Sequence, residues 1–174
     1  MTKSEILPEL TAAHAAFAAT VSALSATDFV AAPAGKWSAG QQLDHIVRAV
    51  EPVGTALLLP RVALRLLFGR ANRPSRSYEE LVQRYQQKLA AGGKASGRFV
   101  PPVVGAARQS ALGRKLEAAV ARLVKRAAGY SEQDLDAFVL PHPLLGKLTL
   151  REMLYFTLYH VEHHHRQLPA RAEA

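Results

Sequence analysis

Apolar residues in this chain recur at intervals of three and four from end to end, while strict apolar/polar alternation is nearly absent. That periodicity commits the chain to helices. Leu7, Leu10, His14, Phe17, Val21 and Leu24 follow one another in steps of three, four, three, four and three. Ser4 is the predicted N-cap of this first helix, and Pro33-Ala34-Gly35 lies beyond its end. A second helix is predicted to start at Ser38, just after Trp37, with Leu43, Ile46, Val47 and Val50 on its buried face. Pro52 and Pro60 then interrupt an apolar continuation that reaches Phe68. Ser77 caps a third helix, with Glu80 at the capping-box position and Tyr78, Leu81, Tyr85 and Leu89 as its stripe. Gly92-Gly93 ends it, and residues 92–106 read as a loop whose glycines follow no strand, so no phosphate cradle is indicated. From about Arg108 to Ala128, Leu112, Leu116, Val120, Leu123 and Ala127 face inward. Thr149 caps a last helix, again with a glutamate, Glu152, three residues on. The pattern predicts an all-α fold: an up-down-type four-helix bundle in which the Pro-containing stretch is a crossover. No repeat, low-complexity tail or composition shift divides residues 1–174, so a single domain is expected.

Composition narrows the function classes. The chain has no cysteine, which excludes disulfides, cysteine-zinc sites, iron–sulfur clusters and thiolate nucleophiles. Neither a secretory signal nor an apolar run of ~18 uncharged residues is visible, so a cytoplasmic protein without a membrane partner is expected. Lys and Arg total 22 against 14 Asp and Glu, a net charge of +8. The cations are scattered, from Arg61 and Arg65 through Lys94 and Arg98 to Lys125 and Arg126, and no aromatic residues interleave with them. The basic excess therefore reads as a solvated surface with no specific nucleic-acid partner. The apolar stretch around Arg61 and Arg65 is expected to pack on the bundle or on a second subunit.

Four of the seven histidines, His160, His163, His164 and His165, fall within six residues of the last predicted helix. On a wheel of ~100° per residue with His160 at zero, His164 falls near ~40°, among Met153, Thr157 and Leu168. His163 and His165 fall to either side and are predicted on the surface. Imidazoles at i and i+4 on an inward face can present ring nitrogens to one metal ion. They can equally be core-edge histidines bonded to backbone or water. Val161 directly follows His160 where a zinc-protease pattern needs glutamate, so that chemistry is excluded. His45, beside the stripe of the second helix, reads by itself as an interfacial histidine. His14 takes an inward position where Leu would be expected, either as a core histidine or as an extra ligand or proton shuttle. Gln167, near ~−20° on the same wheel, could orient a ligand histidine. His142, between Pro141 and Pro143, is either a solvated turn residue or a group held over a site mouth. Asp44 and Glu162 point elsewhere on their helices and receive no role.

Taken together, Trp37-Ser38, the histidine seven residues after that serine, and the His-x-x-x-His of the final helix resemble the DinB/YfiT-like family of metal-dependent enzymes. The matching segments are WSAGQQLDHI (Trp37–Ile46) and LTLREMLYFTLYHVEHHHRQL (Leu148–Leu168), with the same helix order between them. The resemblance implies a four-helix bundle holding nickel or zinc through His45, His160 and His164, with positions left open for water. It further implies Lewis-acid action on a small substrate, as a hydrolase or as a transferase using a low-molecular-weight thiol, and a possible homodimer. The reading from a different class is a catalytically silent bundle whose histidines are structural or sequester metal.

Overall fold

The computed structural model describes residues 1–32 and 35–168. The predicted break at Pro33 and Ala34 lies outside the described residues. Eight helices and one small hairpin are described: α1 (Lys3–Ser22), α2 (Ala26–Val30), α3 (Ala39–Ala56), α4 (Arg61–Phe68), α5 (Tyr78–Ala90), α6 (Gln109–Ala128), α7 (Glu132–Ala137), β1 (Val139–His142), β2 (Gly146–Thr149) and α8 (Leu150–His165). The four longest, α1, α3, α6 and α8, form the all-α bundle that the periodicity calls for. α6 packs against α1 and α3, and α8 packs against the same two from the other side. The 13-residue α5 lies on the outer flank of α8.

The capping chemistry places most helix starts. Ser38 accepts from the Gln41 N–H, Ser77 from Glu80, and Thr149 from Glu152, each closing a capping box. The start of α1 differs from expectation. Thr2, not Ser4, is its N-cap, and the Glu5 carboxylate accepts the Thr2 N–H at 2.6 Å. A serine and a threonine two residues apart offer two caps, and only Thr2 has an acidic residue three positions on.

Pro52 does not end its helix. α3 runs through it to Ala56, since a proline removes one backbone bond and the packed face on α6 retains the helix. Pro60 does act as a boundary, standing at the N-cap of the short α4. α4 buries Leu64 and leaves Val62, Leu66 and Leu67 exposed.

The β1–β2 hairpin was not expected. Its strands are four residues each, too short to show alternation, and one contains Pro141. They pair antiparallel from Val139↔Thr149 to His142↔Gly146, and Gly146 takes φ +76°, a conformation that a side chain would oppose. The hairpin delivers the chain into α8 and leaves the Pro141-His142-Pro143 corner projecting beside it.

α8 is the axis of the molecule. Every residue from Leu150 to Val161 is buried, because α1, α3, α5, α7 and the hairpin all pack on it. A helix buried all round has no single apolar stripe. That is why His163 and His165, predicted on the surface, are half-buried. The His163 ring meets Tyr85 of α5, while the His165 ring meets Phe17 of α1 and its Nε2 pairs with the Thr20 hydroxyl at 2.8 Å.

Candidate metal centre

Three buried histidines converge where α3 and α8 face each other. His45, His160 and His164 each offer a ring nitrogen, and these atoms all lie within 4.8 Å of one another. Among the described residues this is the one group of three His, Cys, Asp or Glu side chains so arranged. The local sequence sets the geometry: His160 and His164 are one helical turn apart, and His45 sits two turns into α3, whose start is fixed by the Ser38 cap. Gly40 lets that first turn approach α2, since a Cβ there would stand 2.7 Å from the Phe29 ring.

Two of the rings are tethered by their outer nitrogen. His45 Nδ1–H donates to the Phe99 carbonyl at 2.7 Å, and His164 Nδ1–H donates to Gln42 Oε1 at 3.2 Å. Each bond puts the proton on Nδ1 and leaves the lone pair on Nε2. The His45 Nε2 stands 3.1 Å from His160 Nε2, so the two inner nitrogens point at the same space. Burial drives all three rings toward the neutral form. His160 is pushed well below the ordinary histidine range by burial and then by His164 and His45; His164 behaves likewise. His45 is lowered by burial against the opposing bond to Phe99. Three neutral, buried imidazoles with ring nitrogens this close, and with no carboxylate bonded to any of them among the described residues, form a donor set that could hold a metal ion.

The trio opens onto a cavity of about 360 Å³. Trp37, just before the start of α3, lines it, tilted against His45 at 4.9 Å and stacked on His164 at 6.2 Å. Phe156 stacks on His160 from below at 4.8 Å. Tyr85 also lines the cavity, its phenol pushed up to about 12 by burial and by Tyr159.

The remaining sequence candidates separate. His142 lines the same cavity, over Phe156 at 4.2 Å, and is no solvated turn residue. Gln167 lines the cavity rim but bonds His163 Nε2 at 2.7 Å and none of the trio. Gln42 performs the orienting task that had been assigned to Gln167. Its position three residues before His45 puts it on the same face of α3, and that spacing was the signal the sequence offered. His14 stands outside the cavity lining. Its Nδ1–H donates to the Leu10 carbonyl at 2.7 Å, its Nε2 has no partner among the described residues, and burial lowers its pKa to about 4. Asp44 pairs with Arg48 and Glu162 accepts from the Tyr78 hydroxyl, so neither joins the trio. Residues 92–106, expected only as a loop, also reach the site. That segment supplies the Phe99 carbonyl, and it brings Lys94, Ser96 and Arg98 to the cavity.

A family model described as the DinB superfamily matches residues 9–168. No curated protein and no solved structure matches the chain.

Proposed function

Because the chain belongs to the DinB superfamily, we propose that His45, His160 and His164 together hold one divalent ion, zinc or nickel, in a metal-dependent enzyme for a small substrate. The observation that carries the reading is the convergence of three buried imidazoles, each held toward the neutral form, on one side of the cavity. When bound, such an ion supplies Lewis-acid chemistry, drawing electron density from a substrate carbonyl or lowering the pKa of a thiol. That chemistry suits a hydrolase or a low-molecular-weight-thiol transferase, and the fold does not choose between them.

The chain's own residues do the positioning. Phe99 and Gln42 fix the tautomer and tilt of His45 and His164, so the ligand set is built before an ion arrives. Trp37 and Phe156 wall the trio on two sides and keep bulk water from the ring faces. The test is metal analysis of protein purified without an affinity tag, beside His45→Ala and His164→Ala. About one zinc or nickel ion per chain, lost in both variants, supports the reading. Undiminished metal in both variants overturns it.

A further inference from the structure

The Pro141-His142-Pro143 corner holds an imidazole whose proton is placed by the backbone. Leu144 and Leu145 both donate their N–H groups to His142 Nδ1, at 3.2 and 3.1 Å. A proton on Nδ1 would confront two others, so Nδ1 keeps its lone pair and the ring proton sits on Nε2. Burial lowers the pKa of this ring to about 4, so the same neutral form persists at neutral pH. The ring is also held in place. Proline on its C-terminal side restricts the backbone, His142 pairs with Gly146 across the hairpin end, and the ring edge packs on Phe156. Its Nε2–H finds no acceptor among the described residues, while the side chain lines the histidine cavity.

The wall carries a second, independent signal. Lys94 and Arg98 line the cavity and no aspartate or glutamate does, among the described residues. Neither cation meets a carboxylate among the described residues; Arg98 lies over the Phe99 ring at 5.1 Å. Phe68, Leu89 and Leu144 make the rest of the surroundings apolar. Such a wall accepts a negatively charged head on an apolar body and rejects a cation, which would meet two like charges and a fixed N–H donor.

We propose that the cavity binds a small carboxylate with an apolar body, and that His142 recognises the carboxylate oxygen through its fixed Nε2–H while Lys94 and Arg98 attract the charge. The proposal deepens the functional reading above, since the ligand shares the cavity with the histidine trio, but it is carried by the wall and not by an ion.

Benzoate and toluene serve as charged and uncharged probes of one shape, titrated calorimetrically into the chelator-treated protein and into the protein as purified. Benzoate should bind both preparations. His142→Phe should weaken benzoate about tenfold, the scale of one hydrogen bond to a charged group, and leave toluene unchanged. His142→Gln, which returns an N–H at the Nε2 position, should recover part of the loss, and Lys94→Gln with Arg98→Gln should flatten the salt dependence of benzoate binding. In the wild-type protein, nitrogen-15 NMR should report a neutral His142 protonated on Nε2, with that proton shifting when benzoate is added. Equal losses for benzoate and toluene in His142→Phe, or a wild-type ring protonated on Nδ1, overturn the proposal. Failure of the metal reading would look different: no ion co-purifies, yet the benzoate–toluene contrast persists.

Discussion

At the start of α8, Glu152 is wholly enclosed and each of its carboxylate oxygens is engaged. Oε1 accepts from Arg73 at 2.7 Å and from the Arg76 N–H at 2.9 Å; Oε2 accepts from Arg73 and from the Thr149 N–H, both at 2.9 Å. Burial alone would raise this carboxyl, but Arg73 and the two backbone N–H groups outweigh it and hold the pKa low. Its neighbour Arg151 is forked onto Asp136 and Glu132 at 2.7–2.9 Å, which raises it further above the usual range. Eight residues along the same helix, His160 is just as enclosed, but its inner nitrogen faces two more imidazoles in place of a counter-charge. One end of α8 buries a carboxylate and pairs it fully; the other buries neutral rings and brings their nitrogens within 4.8 Å of one another without a counter-charge. Full pairing is what a structural polar group needs. Three neutral imidazoles drawn together without a counter-charge are a group that could hold a cation.

That contrast can be broken by substitution. Glu152→Ala should have the largest effect, about 2–3 kcal/mol of lost stability in urea unfolding, because it removes the capping-box partner of Thr149 and the carboxylate that Arg73 and Arg76 share. A loss below ~1 kcal/mol would place Glu152 with ordinary surface ion pairs. His160→Ala should show the opposite profile: divalent-metal affinity falls by more than about a hundredfold while circular dichroism still reports the bundle. If that variant unfolds instead, the two ends of α8 are alike and the histidines are structural.

His14 sharpens the comparison, because it is a buried neutral histidine away from the cavity. The unfolded chain takes up its proton near 6.5, whereas the folded chain does so only at about 4. Between those values the unfolded state binds more protons, so the stability from this ring is present above 6.5 and is lost as pH falls through about 4. His14 should therefore remove about 2 kcal/mol between pH 7 and pH 5. Urea titrations of wild type and His14→Leu at both pH values measure it, and equal pH slopes would sink the assignment. Gln42→Leu should lower metal affinity about tenfold by releasing the His164 ring, with little change in unfolding. His163→Gln should be smallest, within about 1 kcal/mol in stability and without loss of metal, since the only hydrogen bond of His163 among the described residues is to the exposed Gln167 and its ring is only half-buried. Metal loss there would show that the cavity rim belongs to the ligand set.

Particular residues show how far the sequence could be read. The His160–His164 pair was visible because both positions lie one turn apart, and spacing within one helix is a local property. His45 entered through its likeness to a family pattern, since nothing in its own segment says which part of α8 it will face. The task given to Gln167 fell to Gln42 because a partner for His164 had to come from α3, across the bundle. His163 and His165 were misjudged for the same reason: a wheel ranks faces of one helix, and the packing of α5 and α1 buries faces that the wheel leaves open.

The sequence by itself determined the five longest helices, the Ser38, Ser77 and Thr149 caps, and the inward pair on the last helix, because periodicity and capping act over three or four residues. Only the tertiary structure decided that His45 Nε2 meets His160 Nε2, that the Phe99 carbonyl orients His45 from fifty-four residues away, and that a hairpin of two four-residue strands carries His142 to the same cavity. Those relations join segments far apart in the chain, and their distances are set by how whole helices pack, which no local pattern of residues encodes.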